Sequence, residues 1–214
     1  MTKTLNIALA KGRLAQQSME LFANCGLDLS CVDTESRKLI FTDEEQTVSV
    51  ILVKPSDVPT YVERGVADIG VVGKDTLIES NADLYEMLDL GFAKCRLCVA
   101  APKKQTPNPI TNVNLRVATK YPSTAKAYYQ AKGINIDIIK LNGSVELGPL
   151  VGLSDVIVDI VESGKTLVEN GLEVTEDICD ISARLVVNKV SLKTKGEILR
   201  PLISNVRKYL DNKE

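Results

Sequence analysis

Short apolar runs of strand length alternate along the chain with segments in which apolar positions recur at helical spacing. The runs predict strands at 4–10, 48–53, 67–72, 94–101, 115–119, 134–140, 155–161 and 183–190. The periodic segments predict helices near 14–25, 56–64, 74–80, 123–132, 164–170 and 194–211. Such alternation is the pattern of an α/β protein with mostly parallel sheets, because a parallel connection needs a crossover and a helix supplies it. In the last helix Ile198, Leu202, Val206 and Leu210 stand at four-residue spacing and predict one face packed on the body. Pro102 to Asn114, rich in Pro, Asn, Lys and Thr, reads as an exposed connector.

Four predicted strands end in sharp punctuation followed by a predicted helix. The four are Lys11-Gly12-Arg13, Lys54-Pro55-Ser56-Asp57, Gly73-Lys74-Asp75-Thr76 and Glu162-Ser163-Gly164-Lys165-Thr166. In open α/β sheets ligands bind beyond the carboxyl ends of strands, so these loops are the first candidates for a site.

Composition narrows the chemistry. The chain has 214 residues, 44% hydrophobic and 25% charged, which is enough to bury a core in one domain or two small lobes. A net charge of -2, with Lys and Arg scattered, argues against duplex DNA or RNA as a partner, since such binders need a basic face. The first residues show no secretory signal pattern and no apolar stretch is long enough to span a bilayer, so a cytoplasmic protein is expected. Five cysteines form an odd set, read as free thiols of a reducing compartment. Cys95-Arg96-Leu97-Cys98 has zinc-ligand spacing, but no second pair follows and it lies in an apolar run. The chain has no histidine, which excludes a Ser-His-Asp triad, a Cys-His dyad and any His-ligated metal within it.

The most informative stretch runs from Asp155 to Leu167. A β-branched strand, interrupted only by Asp155 and Asp159, leads through Glu162-Ser163-Gly164 into a helix near Lys165. Helix-start N–H groups and the Ser163 and Thr166 hydroxyls suit a phosphate, and Gly164 permits close approach. Asp159 stands where a carboxylate can accept from ribose hydroxyls. The alternative is that Ser163 is only an N-cap. A P-loop is excluded, because that pattern needs glycine where Asp159 stands.

The run from Glu146 to Leu167, with Gly152, Ser154, Ile157, Asp159 and Ser163-Gly164-Lys165-Thr166-Leu167, resembles the signature of the ATP phosphoribosyltransferase family. Further blocks resemble the family in its order: Lys11-Gly12-Arg13-Leu14, Ser36 to Ile40, Pro55 to Pro59, Gly65 to Gly73, Cys95-Arg96-Leu97 and Ala118 to Pro122.

The resemblance implies a two-lobed, periplasmic-binding-protein-like (type II) α/β fold with a cleft between the lobes. Lobe I would be residues 1–92 plus 175–214, on the ATP side, and lobe II residues 93–174, carrying the phosphoribosyl loop. It implies that Asp155, Asp159, Glu162, Ser163, Gly164, Lys165, Thr166 and Leu167 bind phosphoribosyl pyrophosphate. Lys11, Gly12, Arg13, Arg37 and Gly73 would contact ATP or pyrophosphate, with Lys54, Lys11 and Arg37 as catalytic cations. The family more often has arginine where this chain has Lys54, which exchanges a planar fork for a point charge. Mg2+ is the implied cofactor, carried mainly by substrate. The length resembles the family's short form, which implies a regulatory subunit resembling histidyl-tRNA synthetase and a hetero-octamer built on catalytic dimers.

Overall fold

The computed structural model describes residues 4–103 and 114–213, so most of the expected 102–114 connector lies outside the described residues. The chain divides into two compact units, the first running to Ala93 and resuming at Ser182, the second spanning Lys94–Ile181. The first unit opens with β1 (Leu5–Ala10), α1 (Arg13–Asn24), β2 (Ile40–Thr42) and β3 (Val48–Val53). A short 3-10 helix (Pro55–Asp57), α2 (Val58–Glu63), β4 (Ile69–Gly73), α3 (Lys74–Ser80) and β5 (Tyr85–Asp89) follow. The second unit holds β6 (Cys95–Pro102), β7 (Leu115–Thr119), α4 (Pro122–Ala131), β8 (Ile136–Lys140) and α5 (Leu147–Leu150). It closes with β9 (Val156–Val161), α6 (Lys165–Glu169) and β10 (Leu172–Ile181). The chain then returns to the first unit as β11 (Ala183–Val187), α7 (Lys189–Thr194) and α8 (Gly196–Asp211).

The first sheet has the order β2-β3-β1-β4-β11-β5 and the second β10-β6-β9-β7-β8. Parallel pairing is confined to β3-β1-β4 and to β9-β7-β8; every other pairing among the described residues is antiparallel. The expected parallel majority is therefore corrected to mixed sheets, each with a parallel block carrying the βα crossovers. Antiparallel β5, β6, β10 and β11 flank the two passages of the chain from one unit to the other, and β2 pairs back on β3 as a hairpin, features that hydrophobic periodicity does not record.

Each sheet is covered on both faces. On β1 the odd positions Leu5, Ile7 and Leu9 join Phe22, Leu199 and Val206, while Ala8 and Ala10 face Val58 and Val62 of α2. That helix lies so close that a Cβ on Gly70 would sit 2.8 Å from a Val62 methyl. In the second unit Leu97, Val99, Val117, Val156 and Val158 pack against Tyr121, Ala125 and Tyr129. The opposite face gathers Cys98, Ala100, Ala118, Ile157 and Val161 around Val145, Leu167 and Leu172. Residues inside the central parallel strands β1, β4, β7 and β9 are thus mostly buried on both sides, which is why they read as continuous apolar runs.

Three boundary expectations are corrected. The strand expected at 183–190 ends at Val187, because the Asn188 side chain accepts the Val190 and Ser191 N–H groups and starts α7. The second unit extends to Ile181, past the expected 174, because β10 is a long edge strand pairing with β6. The buried stripe of α8 is Leu199, Leu202, Ile203 and Val206, and Ile198 faces outward. Both ends of the first unit are tied together at Asp68. Its carboxylate is buried and accepts from the Asn6 N–H at 2.8 Å, the Ser191 hydroxyl at 2.6 Å and the Lys195 ammonium at 2.6 Å. Among the described residues no helix is long and apolar enough to cross a membrane.

Candidate active site

In the second unit β7 has parallel partners on both sides, in the registers Thr119↔Val158 and Thr119↔Lys140. The chain leaves β7 for β8 on one side and reaches β9 on the other, so β7 is a topological switch point. The loops after β7, β8 and β9 consequently open at one sheet edge. The turn after β9 carries the predicted phosphate loop. Gly164 adopts φ 73° and ψ 0°, a left-handed conformation that favours glycine, and it occupies the N-cap position of α6. Ser163 is not the N-cap; its Oγ accepts only a long contact of 3.5 Å from the Lys165 N–H. The N-cap alternative for the serine therefore loses its support. Thr166 and Lys165 are exposed in the first turn, ahead of the Val168 N–H bond to the Gly164 carbonyl at 3.1 Å. Glu162 and Ser163 are exposed in the same turn.

Asp159 lies near the carboxyl end of β9, with one carboxylate oxygen accepting the Ile160 N–H at 2.8 Å. The period of two puts it on the face of Ile157 and Val161, which is the face that Leu167 of α6 covers. Leu167 is itself 5% exposed and packs in that core, so its side chain anchors the helix. Asp155 is corrected. It stands before the other end of β9, about 20 Å of extended strand from the loop, where Arg116 binds it at 2.7 and 3.3 Å and by its own N–H at 2.9 Å. The guanidinium holds the Asp155 carboxyl below its usual range despite partial burial. Its role is to fasten β9 to β7.

The first unit repeats the arrangement. β3, β1 and β4 are parallel, Ala10 pairs with Val53, and the Lys11 N–H donates to the Val53 carbonyl at 3.0 Å. Lys11 and Lys54 therefore leave adjacent strands at one edge. Arg37 joins them by register: Ile40 pairs with Ile51 on antiparallel β2, and the Leu52 N–H donates to the Leu39 carbonyl at 2.8 Å, so the chain before β2 runs toward the end of β3. Gly12 takes φ 101°, which favours glycine, and opens α1, whose first turn carries no acidic residue and no side-chain cap. Lys11, Arg13, Arg37 and Lys54 are all exposed there, and among the described residues Lys11, Arg37 and Lys54 form no ion pair. Four cations gathered at one edge suit a polyphosphate. Gly73 ends β4 at this edge, but the carboxylate of Asp75 closes over it, and an added Cβ would collide with that group. A phosphate oxygen against Gly73 would meet this carboxylate.

Two further loops share the edge of the second unit, Lys120-Tyr121 after β7, which lies within the family-like block Ala118 to Pro122 but receives no role from it, and Asn142-Gly143-Ser144 after β8. Their signals were a proline opening α4 and an Asn-Gly turn, both of which occur equally in connectors without function. Only the strand order brings them beside Ser163. Neither Cys95 nor Cys98 is in a disulfide, Cys98 is fully buried, and no cluster of metal-binding side chains occurs among the described residues.

Known proteins resemble this chain along both of its units. The family model for HisG, ATP phosphoribosyltransferase, matches residues 54–208. The ATP phosphoribosyltransferase of Clostridioides difficile is 55% identical over 208 residues, covering 97% of this chain and 99% of the relative. That of Lachnospira eligens is 54% identical over 209 residues, covering 97% of each. A solved ATP phosphoribosyl transferase (HisG:HisZ) complex from Thermotoga maritima aligns at a TM-score of 0.85 and 35% identity, over 98% of this chain and 100% of that one. The periplasmic aliphatic sulphonate binding protein SsuA of Escherichia coli aligns at a TM-score of 0.58 and 14% identity, over 98% of this chain and 69% of that one, a likeness of fold alone. With the two-unit α/β architecture and the match across both units, the chain belongs to the ATP phosphoribosyltransferase family of pentosyltransferases.

Proposed function

We propose that this chain transfers the phosphoribosyl group of phosphoribosyl pyrophosphate to N1 of ATP with release of pyrophosphate, the first step of L-histidine biosynthesis. What supports the reading is the family match together with the loop at Ser163-Gly164-Lys165-Thr166, which combines a left-handed glycine, exposed hydroxyls and open N–H groups. In this reading the second unit binds the 5'-phosphate through that loop and the ribose hydroxyls through Asp159. The first unit takes ATP and pyrophosphate with Lys11, Arg13, Arg37 and Lys54.

The chemistry asks for charge placement more than proton shuttling. Breaking the bond to pyrophosphate builds positive charge on the sugar and negative charge on the leaving group. Adenine N1 carries a free lone pair, so a chain without histidine lacks nothing essential. Lys54, Lys11 and Arg37 stabilise the departing pyrophosphate, and Asp159 holds the sugar so that its anomeric carbon stays aligned. A Mg2+ brought in on the pyrophosphate would be held through its waters by Asp159 and Glu162. That ion would supply neutralisation of the leaving group.

The reading includes a cytoplasmic location, where both substrates are made, and a histidyl-tRNA-synthetase-like regulatory subunit in a hetero-octamer built on catalytic dimers. Its support is the Thermotoga maritima relative, which was solved as a HisG:HisZ complex. The test mixes purified chain, ATP, phosphoribosyl pyrophosphate and Mg2+, with and without a candidate regulatory subunit, and follows the near-ultraviolet absorbance of ribosylated adenine. Product formation that the partner stimulates is expected. Pyrophosphate release without consumption of ATP would overturn the assignment.

A further inference from the structure

We propose that Lys120 is a second-strand phosphate ligand, its ammonium holding the 5'-phosphate of phosphoribosyl pyrophosphate from the β7 side of the loop at Ser163; this rests on the reaction proposed above. The loop supplies one cation, Lys165, against a phosphate dianion and two carboxylates. Its helix, α6, has five residues and so a weak dipole, while Glu162 in the turn and Asp159 on β9 place two carboxylates near a phosphate dianion. A cation on the other flank is the natural complement.

Lys120 occupies that flank and is held there. The fully buried Thr119 hydroxyl donates to the Val158 carbonyl at 2.6 Å, immediately before Asp159, and accepts the Tyr121 N–H at 2.8 Å. Tyr121 is 4% exposed, so Lys120 is the one exposed residue between two buried neighbours clamped to β9. The register Thr119↔Val158 sets it level with Asp159, on a strand that in a sheet lies about 4.8 Å away. Among the described residues Lys120 makes no ion pair. A side chain so placed on a pinned backbone reaches a phosphate in the turn at Ser163 without reordering the chain.

The test compares wild type with Lys120→Met, Lys120→Gln and Lys120→Arg, using ribose 5-phosphate and inorganic pyrophosphate as calorimetric probes beside steady-state kinetics of the complete enzyme. Both uncharged variants are expected to weaken ribose 5-phosphate about tenfold and to raise the KM for phosphoribosyl pyrophosphate similarly. Pyrophosphate affinity, the KM for ATP and the thermal midpoint should stay unchanged, and arginine should restore most of the loss. Unchanged ribose 5-phosphate binding, or a loss seen only with pyrophosphate, overturns the assignment. Because wild type must first make ribosylated ATP in the same assay, failure of the reaction itself is read separately.

Discussion

Thr166 tests the centre of the loop. Its hydroxyl is exposed in the first turn of α6, and Thr166→Val keeps the β-branched shape while removing the donor. Loss of one charge-assisted hydrogen bond, roughly 1.5 to 3 kcal/mol, should raise the KM for phosphoribosyl pyrophosphate about tenfold or more and leave ATP unaffected. Unchanged kinetics for both substrates in a folded variant would make Thr166 structural only. Lys54→Ala should instead lower kcat, by about a hundredfold, because a charge that meets the leaving group acts most strongly in the transition state. A raised KM for ATP at constant kcat would move Lys54 to ground-state binding. Asp155 gives a different readout. Its carboxyl is depressed by hydrogen bonds from Arg116, so its contribution to stability is present above the ordinary aspartate range and is lost as pH falls through the lowered folded value. Urea midpoints of Arg116→Met should lie below wild type at neutral pH and converge with it in acid; parallel curves would sink that account. Cys98 is pushed up to about 12 by burial and by the Asp177 carboxylate, which its thiol faces at 3.1 Å, so alkylating agents should spare it until the protein unfolds. Quantitative labelling of Cys98 in the folded protein would contradict this.

At the level of elements, the strands legible in the sequence are those written as apolar runs, most of them inside a sheet, while β8 is legible from Ile136, Ile138 and Ile139 although it lies at the edge and is only half-buried. β5 and β10 escaped because both carry acids and exposed positions along their length, as in Tyr85-Glu86-Met87-Leu88-Asp89, and depend on pairing with β11 or β6. β10 also carries register shifts between Val174 and Glu176 and between Asp177 and Cys179, which break its alternation. Strand ends are legible as punctuation, whereas the strand order is not, and this explains why the block Ala118 to Pro122 suggests no role for Lys120 while Asp155 stands among the candidates. Both lie beside apolar strands, but only one is at the carboxyl edge. Asn188 shows why the strand at 183 was read too long. Val190 continues the apolar run, yet the Asn188 side chain turns the chain by capping α7 while its amide donates to the Val62 and Glu63 carbonyls at 2.8 and 3.1 Å. Asn188→Ala removes a cap and leaves two carbonyls short of a donor, for a loss of about 2 to 3 kcal/mol in chemical denaturation. A loss under about 0.5 kcal/mol would show that backbone and water replace it.

The whole molecule is built from cores that each belong to one unit. The clusters around Phe22 and Val58 lie in the first unit, those around Tyr129 and Leu167 in the second. The second unit is also a single uninterrupted segment, whereas the first is completed only after the chain has returned at Ser182. In the first sheet β5 pairs only with β11, and the Asp68 carboxylate waits for Ser191 and Lys195, residues made more than a hundred positions later. On the ribosome, this topology imposes an order of events. The early half of the first unit emerges with β5 unpartnered and an aspartate lacking its cation, while Lys94–Ile181 has everything it needs as soon as it clears the exit tunnel. Nascent chains truncated between Ile181 and Lys195 and joined to the ribosome by a linker long enough to fill the exit tunnel should therefore yield a protease-resistant core from the second unit alone, with the N-terminal segment still cut, and protection of both halves in that chain would show that the first unit does not wait for its C-terminus.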